Sequence, residues 1–176
     1  MNKNRLDLIS QYKNDSLLFN FYTEYVYKSL ASLNKDYKSF DKWYFEKVVP
    51  GIKLGNREII VATNDQFLTG VSILKNSIYE KKICTLYVNP KFRKIGVGKE
   101  LFESSLEILN SDFPVITVNE ERVPEFSSLL NYYGFELSQV ASNYYKNLSN
   151  EYVYNGVLDK PTSQKSFPKE YSLVSS

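Results

Sequence analysis

The segment that decides the fold is Thr85-Leu-Tyr-Val-Asn-Pro-Lys-Phe-Arg-Lys-Ile-Gly-Val-Gly-Lys-Glu-Leu-Phe102. It begins as an apolar strand, is interrupted by a proline, and passes through a basic loop into an amphipathic helix. The start of such a helix presents unbonded N–H groups and the positive end of the helix dipole. Gly96 and Gly98 carry no Cβ, so an anion can approach the backbone closely. The segment therefore predicts a phosphate site. Three cations flank these glycines: Arg93, Lys94 and Lys99.

Two common phosphate loops do not fit this segment. The P-loop of nucleoside triphosphatases needs a glycine where Arg93 stands and Ser or Thr where Glu100 stands. The dinucleotide fingerprint needs a third glycine at the position of Leu101. The run Arg93-Lys-Ile-Gly-Val-Gly98 instead matches Arg/Gln-x-x-Gly-x-Gly/Ala in full. In this it resembles the coenzyme A pyrophosphate loop of the GNAT superfamily of N-acyltransferases.

The resemblance extends beyond the loop. The preceding Leu86-Tyr-Val-Asn-Pro90 is similar to the family's strand, and Gly134-Phe135 stands where the family's later helix ends. The element order over residues 58–154 also fits. The resemblance implies an α/β (α+β) fold with a mixed, mostly antiparallel central sheet, flanked by helices and splayed at an acyl-CoA cleft. The competing interpretation is that the glycines only make a tight turn between strand and helix.

Hydrophobic periodicity predicts four helices and six strands. The helices are expected at about 16–32, 39–48, 97–109 and 124–133, and Pro50-Gly51 is expected to end the second. The strands are expected at about 58–63, 67–74, 81–88, 114–118, 135–145 and 151–154, and residues 1–14 are ambiguous. Alternation places Cys84 on one face with Leu86 and Val88, as a small core residue. We expect a single domain over residues 1–176, with its core at about 15–157 and a loose tail at 158–176.

Composition excludes several kinds of chemistry. The chain has 176 residues, 43% of them hydrophobic, with no histidine and one cysteine. It therefore has no Ser-His-Asp or Cys-His site, no intramolecular disulfide and no zinc site of the usual kind, and we predict no metal. A net charge of +2 makes nucleic acid an unlikely partner. The start does not read as a signal peptide and no apolar stretch is long enough to cross a membrane, so we expect a cytoplasmic protein.

The resemblance also assigns residues to the cofactor. It implies direct transfer of an acetyl group from acetyl-CoA to an amine, with no covalent enzyme intermediate. Backbone groups of Tyr87 and Val88 would hold the pantetheine arm, and the Val88 N–H would polarise the thioester carbonyl. The pyrophosphate would lie on the loop formed by Arg93, Lys94, Ile95, Gly96, Val97, Gly98 and Lys99.

The candidate catalytic residues depart from the family pattern. The family's usual tyrosine position holds Leu130, and Tyr133, three residues later, is the predicted acid for the departing thiolate. Glu120 and Glu121 follow a buried strand whose end is expected to line the cleft, so one of them could act as the base or bind a cationic amine, and Glu120 is the predicted base. The simpler interpretations are that Tyr133 is a half-buried aromatic and that Glu120 belongs to a solvated turn. Other tyrosines are close in sequence: Tyr132, Tyr144 and Tyr145.

Two functions stay open at this point. The first is an acetyl-CoA-dependent N-acetyltransferase acting on a small amine, a peptide or a protein amine. The second is a non-catalytic acyl-CoA-binding sensor or interaction module of the same fold. The aromatic residues Tyr37, Phe40, Trp43 and Tyr44 could line an acceptor pocket, although packing of an amphipathic helix explains the same spacing. The sequence names no acceptor, and a homodimer is left open.

Overall fold

The computed structural model describes residues 4–35, 37, 39–145, 148–158 and 173–175. The helices are α1 (Ser16–Ser29), α2 (Phe40–Trp43), α3 (Val49–Leu54), α4 (Val97–Leu109) and α5 (Val123–Tyr132). The strands are β1 (Arg5–Leu8), β2 (Arg57–Asn64), β3 (Phe67–Asn76), β4 (Lys81–Val88), β5 (Val115–Asn119), β6 (Leu137–Ser142), β7 (Asn150–Tyr154) and β8 (Leu173–Ser175). No helix in these described ranges is both long and apolar enough to cross a membrane.

The strands form one eight-stranded sheet. Seven of them lie in the order β1-β2-β3-β4-β5-β7-β6, and β8 pairs with β4 outside that path. Only β4 with β5 and β4 with β8 pair in parallel, and the other neighbours are antiparallel. The predicted mixed, mostly antiparallel sheet is confirmed.

Helices cover both faces of the sheet. On one face, α1 to α3 pack a core rich in aromatic side chains, including Phe19, Phe40, Trp43 and Tyr44, all fully buried. On the other face, α4 and α5 pack against apolar residues of β4 and β5. The Tyr44 hydroxyl donates a 2.8 Å hydrogen bond to the Thr23 carbonyl. The aromatic residues considered for an acceptor pocket therefore lie within the core of the first face.

A β-bulge in β4 changes which side chains share a face. Ile73 of β3 lies opposite Thr85 and Leu74 lies opposite Ile83, so Cys84 is an extra residue on β4. Cys84 joins the core under α1 to α3, whereas Leu86 and Val88 face α4 and α5. The expectation that these three side chains share a face is wrong, because simple alternation contains no sign of a bulge.

Two further expectations are corrected. The second helix does not end at Pro50-Gly51, because a π-helical segment, Tyr44–Val48, leads directly into α3. Pro50 lies in the first turn of α3, where its missing N–H costs little, and Gly55 caps the helix at a φ of 77°. The expected loose tail contains β8, while residues 159–172 and 176 lie outside the described residues.

Candidate active site

A cleft opens between β4 and β5. Their register contains only two pairs, Lys82 with Val115 and Ile83 with Ile116. The strands separate directly after these pairs, where the bulge at Cys84 bends β4. We call the gap beyond Ile83 and Ile116 the cleft, and its narrow end the apex.

The loop after β4 reaches α4 through a left-handed turn. Lys94 has a φ of 65° and Gly96, the residue before α4, has a φ of 96°. A Cβ on Gly96 would meet no other atom within 4 Å, so its backbone conformation, rather than crowding, favours glycine. The Arg93 side chain donates a 3.4 Å hydrogen bond from Nε to the Val88 carbonyl. The loop is thereby tied to the end of β4, and the first N–H groups of α4 lie beside it.

A cavity of about 440 Å³ lies at this loop. Its lining is Val88, Arg93, Lys94, Gly96, Gly98, Lys99 and Glu125. Six of these seven residues belong to the set predicted to bind coenzyme A. Lys99 is exposed and contacts the Tyr132 ring at 5.5 Å from its centroid. Glu125 accepts two hydrogen bonds from Arg122 Nη1, at 3.0 and 3.2 Å, which offsets its negative charge at the rim.

The other three residues predicted to bind the cofactor, Tyr87, Ile95 and Val97, are not part of the cavity lining. The Val97 side chain is buried between α4 and the sheet. The Ile95 side chain is about half exposed, at 47%. Tyr87 is partly buried and packs against the core under α1 to α3.

Strand β8 lies in the cleft. Leu173, Val174 and Ser175 pair in parallel with Thr85, Leu86 and Tyr87 of β4. β8 also contacts β5. This stretch of β4 includes Tyr87, one of the two residues predicted to hold the pantetheine arm. The chain's own C-terminal strand therefore occupies part of the edge that the cofactor was expected to use.

A second group of polar side chains lies on the face of the sheet that carries α1 to α3. We call Lys82, Thr85, Thr117, Asn119, Tyr145 and Glu151 the polar cluster. Thr85 is the first β4 residue beyond the bulge, and Thr117 directly follows the last β5 residue paired with β4. The polar cluster therefore begins at the apex of the cleft.

Glu151 is the one carboxylic acid of the polar cluster. It is fully buried on β7, opposite Asn119 of β5, and its Oε1 accepts a 3.0 Å hydrogen bond from Asn119 Nδ2. Its Oε2 is buried and accepts no hydrogen bond from the described residues. Burial raises the pKa of Glu151 from 4.5 to about 7, opposed by the Asn119 hydrogen bond and the Lys82 charge.

The Tyr145 hydroxyl lies beside Glu151. It is buried, and the groups that act on it are the Thr117 side chain, Tyr144, Glu151 and Cys84. Burial, followed by the Tyr144 and Glu151 charges, raises the pKa of Tyr145 well above its ordinary value, so the hydroxyl keeps its proton at neutral pH. The cluster thus combines a proton donor with a carboxylate that titrates near neutrality.

The structure does not bring Tyr133 and Glu120 together. The Tyr133 hydroxyl donates a 2.5 Å hydrogen bond to Glu103 Oε1 on α4, and its ring packs 5.0 Å from that of Phe102. Loss of solvation and then the Glu103 bond raise the pKa of Tyr133 to about 12. Glu120 follows β5, where its Oε2 accepts a 2.8 Å hydrogen bond from Asn150. Leu130 is buried in the core under α5.

Sequence reasoning did not single out Glu151. A usable signal was present, since the predicted strand 151–154 places Glu151 on the same face as the buried Val153. Because Asp and Glu are almost never fully buried unless they are paired, a carboxylate on the inward-facing side of a strand indicates a specific partner or a function. The Asn119 partner and the Tyr145 neighbour depend on tertiary contacts and carry no such signal.

Metal ligation has no support in the part of the chain that the structure describes. Within it, no group of three or more Cys, Asp or Glu side chains is arranged to hold a metal ion.

Comparison with known proteins agrees with this geometry. The model of the acetyltransferase (GNAT) domain matches residues 24–149. No curated protein matches the sequence. A GNAT-family acetyltransferase of Bacillus cereus superposes with a TM-score of 0.52 at 16% identity, over 66% of this chain and 80% of that one.

Two other solved structures superpose similarly. The ribosomal-protein-S18-alanine N-acetyltransferase of Escherichia coli gives a TM-score of 0.50 at 15% identity, over 61% of this chain and 74% of that one. An acetyltransferase of Bacillus subtilis in complex with CoA gives 0.50 at 19% identity, over 64% and 84%. These structures share the fold, and the family model covers most of the chain. The chain therefore belongs to the GNAT acetyltransferase family.

Proposed function

We propose that this protein transfers an acetyl group from acetyl-CoA directly to an amine. The observation that carries the proposal is the loop between β4 and α4, where Gly96, Gly98 and three cations border one cavity at the mouth of the cleft. Oriented N–H groups at a helix start and nearby cations are what a pyrophosphate requires. The Bacillus subtilis relative in complex with CoA supports the same ligand class.

Different residues of the chain bind different parts of acetyl-CoA. Backbone N–H groups from Arg93 to Gly98 hold the pyrophosphate, while Arg93 and Lys99 supply positive charge. Backbone groups of Tyr87 and Val88 align the pantetheine arm along β4, and the Val88 N–H bonds the thioester carbonyl. Coenzyme A supplies the acetyl group as an activated thioester, so no nucleophilic side chain is needed. This agrees with a chain that has no histidine and whose one cysteine is buried.

A non-catalytic acyl-CoA-binding module is the second candidate. Two observations favour it: Leu130 is buried where the family commonly has a tyrosine, and β8 lies in the cleft. Both candidates bind acetyl-CoA. Only the enzyme releases free coenzyme A thiol when an amine is added.

The test combines binding with turnover. Titration calorimetry with acetyl-CoA measures affinity. A thiol reagent then follows coenzyme A release in the presence of spermidine, tyramine, free lysine or an alanine-starting peptide. The enzyme predicts saturable, amine-dependent release and an acetylated amine by mass spectrometry. Binding without release supports the second candidate, and no binding at millimolar acetyl-CoA contradicts both.

Removing β8 from β4 is expected to strengthen acetyl-CoA binding. Val174 pairs with Leu86, and proline at position 174 has no N–H and disfavours strand pairing. Losing one or two hydrogen bonds of about 0.5–1.5 kcal/mol each should lower the Kd of acetyl-CoA in Val174→Pro by about 3- to 10-fold. Calorimetry measures the Kd, and Val174→Ala, which keeps the N–H, should bind like the wild type. An unchanged or higher Kd in Val174→Pro would show that β8 does not compete with the cofactor.

The proposed role of Tyr133 as thiolate acid is tested by Tyr133→Phe. Proton donation by a positioned side chain contributes about 100-fold or more, so the variant should lose kcat by about that factor without a change in the Kd of acetyl-CoA. The thiol-release assay gives kcat. A variant that loses only stability, through the missing bond to Glu103, would limit Tyr133 to a packing role.

A further inference from the structure

Glu151 is buried without the partners that a buried carboxylate normally has. Transferring an ionised carboxylate out of water costs several kcal/mol unless hydrogen bonds and opposite charges compensate. Asn119 satisfies Oε1 of Glu151, but the described residues provide no donor to Oε2. Thr85 Oγ1 on β4 is likewise buried without a partner in the described part of the chain. Two polar atoms near the apex of the cleft thus have unused hydrogen-bonding capacity.

Charged and titratable groups reach Glu151 from three neighbouring elements. Lys82 of β4 favours its ionised form, while Glu120, which follows β5, opposes it. The Tyr145 hydroxyl, from the segment between β6 and β7, also interacts with it. One cation and one anion act in opposite directions, so burial decides the result. The carboxyl therefore titrates near neutrality rather than near its ordinary value.

The position of Glu151 suits an acceptor that arrives from the far side of the sheet. Thr117 and Asn119 of β5 alternate with Ile116 and Val118, which pack under α4 and α5. Asn119 lies opposite Glu151, so both side chains lie on the face that carries α1 to α3. The phosphate loop leads into α4, on the other face. An amine entering on the Glu151 side would meet the thioester within the cleft, beyond its apex, without crossing the cofactor.

We propose that Glu151 is the general base that takes a proton from the acceptor's ammonium group in the cleft. This rests on the proposed function and identifies the group that prepares the amine. Deprotonation leaves a neutral nitrogen with a free electron pair. The nitrogen then forms the C–N bond to the acetyl carbon as the C–S bond breaks. The sulfur leaves as thiolate and takes up one proton from solvent. Glu151 releases its first proton to solvent before it accepts the second proton of the amine, so the two protons lost by the nitrogen end on the coenzyme A thiol and in solvent.

Burial distinguishes Glu151 from the other candidate base. Glu120 already accepts a hydrogen bond from Asn150 and is partly exposed. Glu151 is both buried and incompletely paired, which increases its basicity. Glu120 adjusts the charge around Glu151 in this scheme.

The first test is the pH profile of Glu151→Gln. In the wild type, kcat/KM should rise with pH around an apparent pKa of about 7, where Glu151 loses its proton. Glu151→Gln should lose about 100-fold or more in kcat/KM at neutral pH. Its activity should recover at high pH, where the amine deprotonates without help. The assay uses whichever amine of the four named above gives the fastest thiol release.

The second test does not depend on turnover. A carboxyl whose folded pKa is raised stabilises the fold below its ordinary pKa, and that contribution is lost as pH rises through the folded pKa. The wild type should therefore lose stability up to about pH 7, where Glu151 ionises. Glu151→Gln mimics the protonated form, so it should melt higher than the wild type at about pH 8 and close to it at about pH 5.

Glu58→Gln is the matched control. Glu58 is also a buried carboxylate, but it accepts bonds from the Ser10 and Ile59 N–H groups, at 3.1 and 2.9 Å. Glu58→Gln should melt lower than the wild type, and its kcat/KM should depend on pH as in the wild type.

Three results would overturn the proposal. One is a Glu151→Gln variant in which kcat/KM depends on pH as in the wild type. Another is a Glu120→Gln variant that loses the rise of kcat/KM with pH expected to be lost in Glu151→Gln. The third is a Glu151→Gln variant that melts lower than the wild type at every pH, which would mark the carboxylate as structural. If the wild type releases no thiol with any amine, the proposed function fails as well, whereas each of these three results leaves it intact.

Discussion

Gly96→Val is expected to abolish measurable acetyl-CoA binding. Gly96 has a φ of 96° directly before α4, a conformation in which a β-branched residue is strained. Relief of that strain would move the loop and turn the first N–H groups of α4 away from the pyrophosphate. Losing several aligned donors at about 1–2 kcal/mol each should raise the Kd by about 100-fold or more. Titration calorimetry measures the change.

Gly55→Val is the control for this prediction. Gly55 also has a positive φ, of 77°, and open space where a Cβ would lie. It caps α3 next to the start of β2, at the opposite end of the sheet from the loop. Both variants should lose similar stability, but Gly55→Val should bind acetyl-CoA like the wild type. A Kd of acetyl-CoA for Gly96→Val within about 3-fold of the wild-type value would correspond to less than the loss of one typical hydrogen bond. That result would show that the phosphate site is elsewhere.

Gly70→Ala is expected to lower both stability and cofactor affinity. Gly70 lies on β3 opposite Val88, at the position where α4 packs on the sheet. A Cβ there would lie 2.7 Å from Leu101 Cδ1 and 2.7 Å from the Tyr87 carbonyl oxygen. The Tyr87 oxygen is a backbone atom of β4 and cannot yield as a flexible side chain does, so the pairing of β3 with β4 must shift. Leu101 belongs to α4, so α4 must also move away from β3. Overpacking of this kind costs about 1–3 kcal/mol, which corresponds to a fall of about 2–10 °C in Tm.

The affinity effect separates this variant from an ordinary core defect. The start of α4 carries the loop, so its displacement should raise the Kd of acetyl-CoA by about 10-fold, the equivalent of one lost hydrogen bond. Thermal unfolding and calorimetry on the same preparation measure both quantities. Phe126→Leu, a volume-reducing change in the core under α5, should lower the Tm and leave the Kd unchanged. A wild-type Tm and Kd in Gly70→Ala would contradict the close packing of α4 on β3.

The elements that border the loop were predictable because their signals are local. The strand Lys81–Val88 and the helix Val97–Leu109 have the predicted bounds, since alternation, proline and glycine mark each end. Four residues of the cavity lining, Arg93, Lys94, Gly96 and Gly98, belong to the loop motif that the sequence matches. Local patterns of this kind also supplied the order of the remaining strands and helices between residues 58 and 154.

The apex of the cleft could not be predicted because it depends on contacts between distant segments. The bulge at Cys84 is visible only in the pairing of β3 with β4. The burial of Glu151 follows from its position opposite Asn119, 32 residues earlier in the chain. The pairing of β8 with β4 joins the C-terminal segment to the middle of the sheet. The partners in these pairings leave no period or motif in the sequence, although alternation with Val153 does indicate that Glu151 faces inward.

Acetyl transfer to an amine is tested most directly by one measurement. Wild-type protein is mixed with acetyl-CoA and each of the four amines, and coenzyme A thiol release is followed while mass spectrometry identifies the product. At least one amine is expected to gain an acetyl group, in a one-to-one ratio with the thiol released. Tight binding of acetyl-CoA with no amine-dependent thiol and no acetylated product would contradict the proposed acetyl transfer.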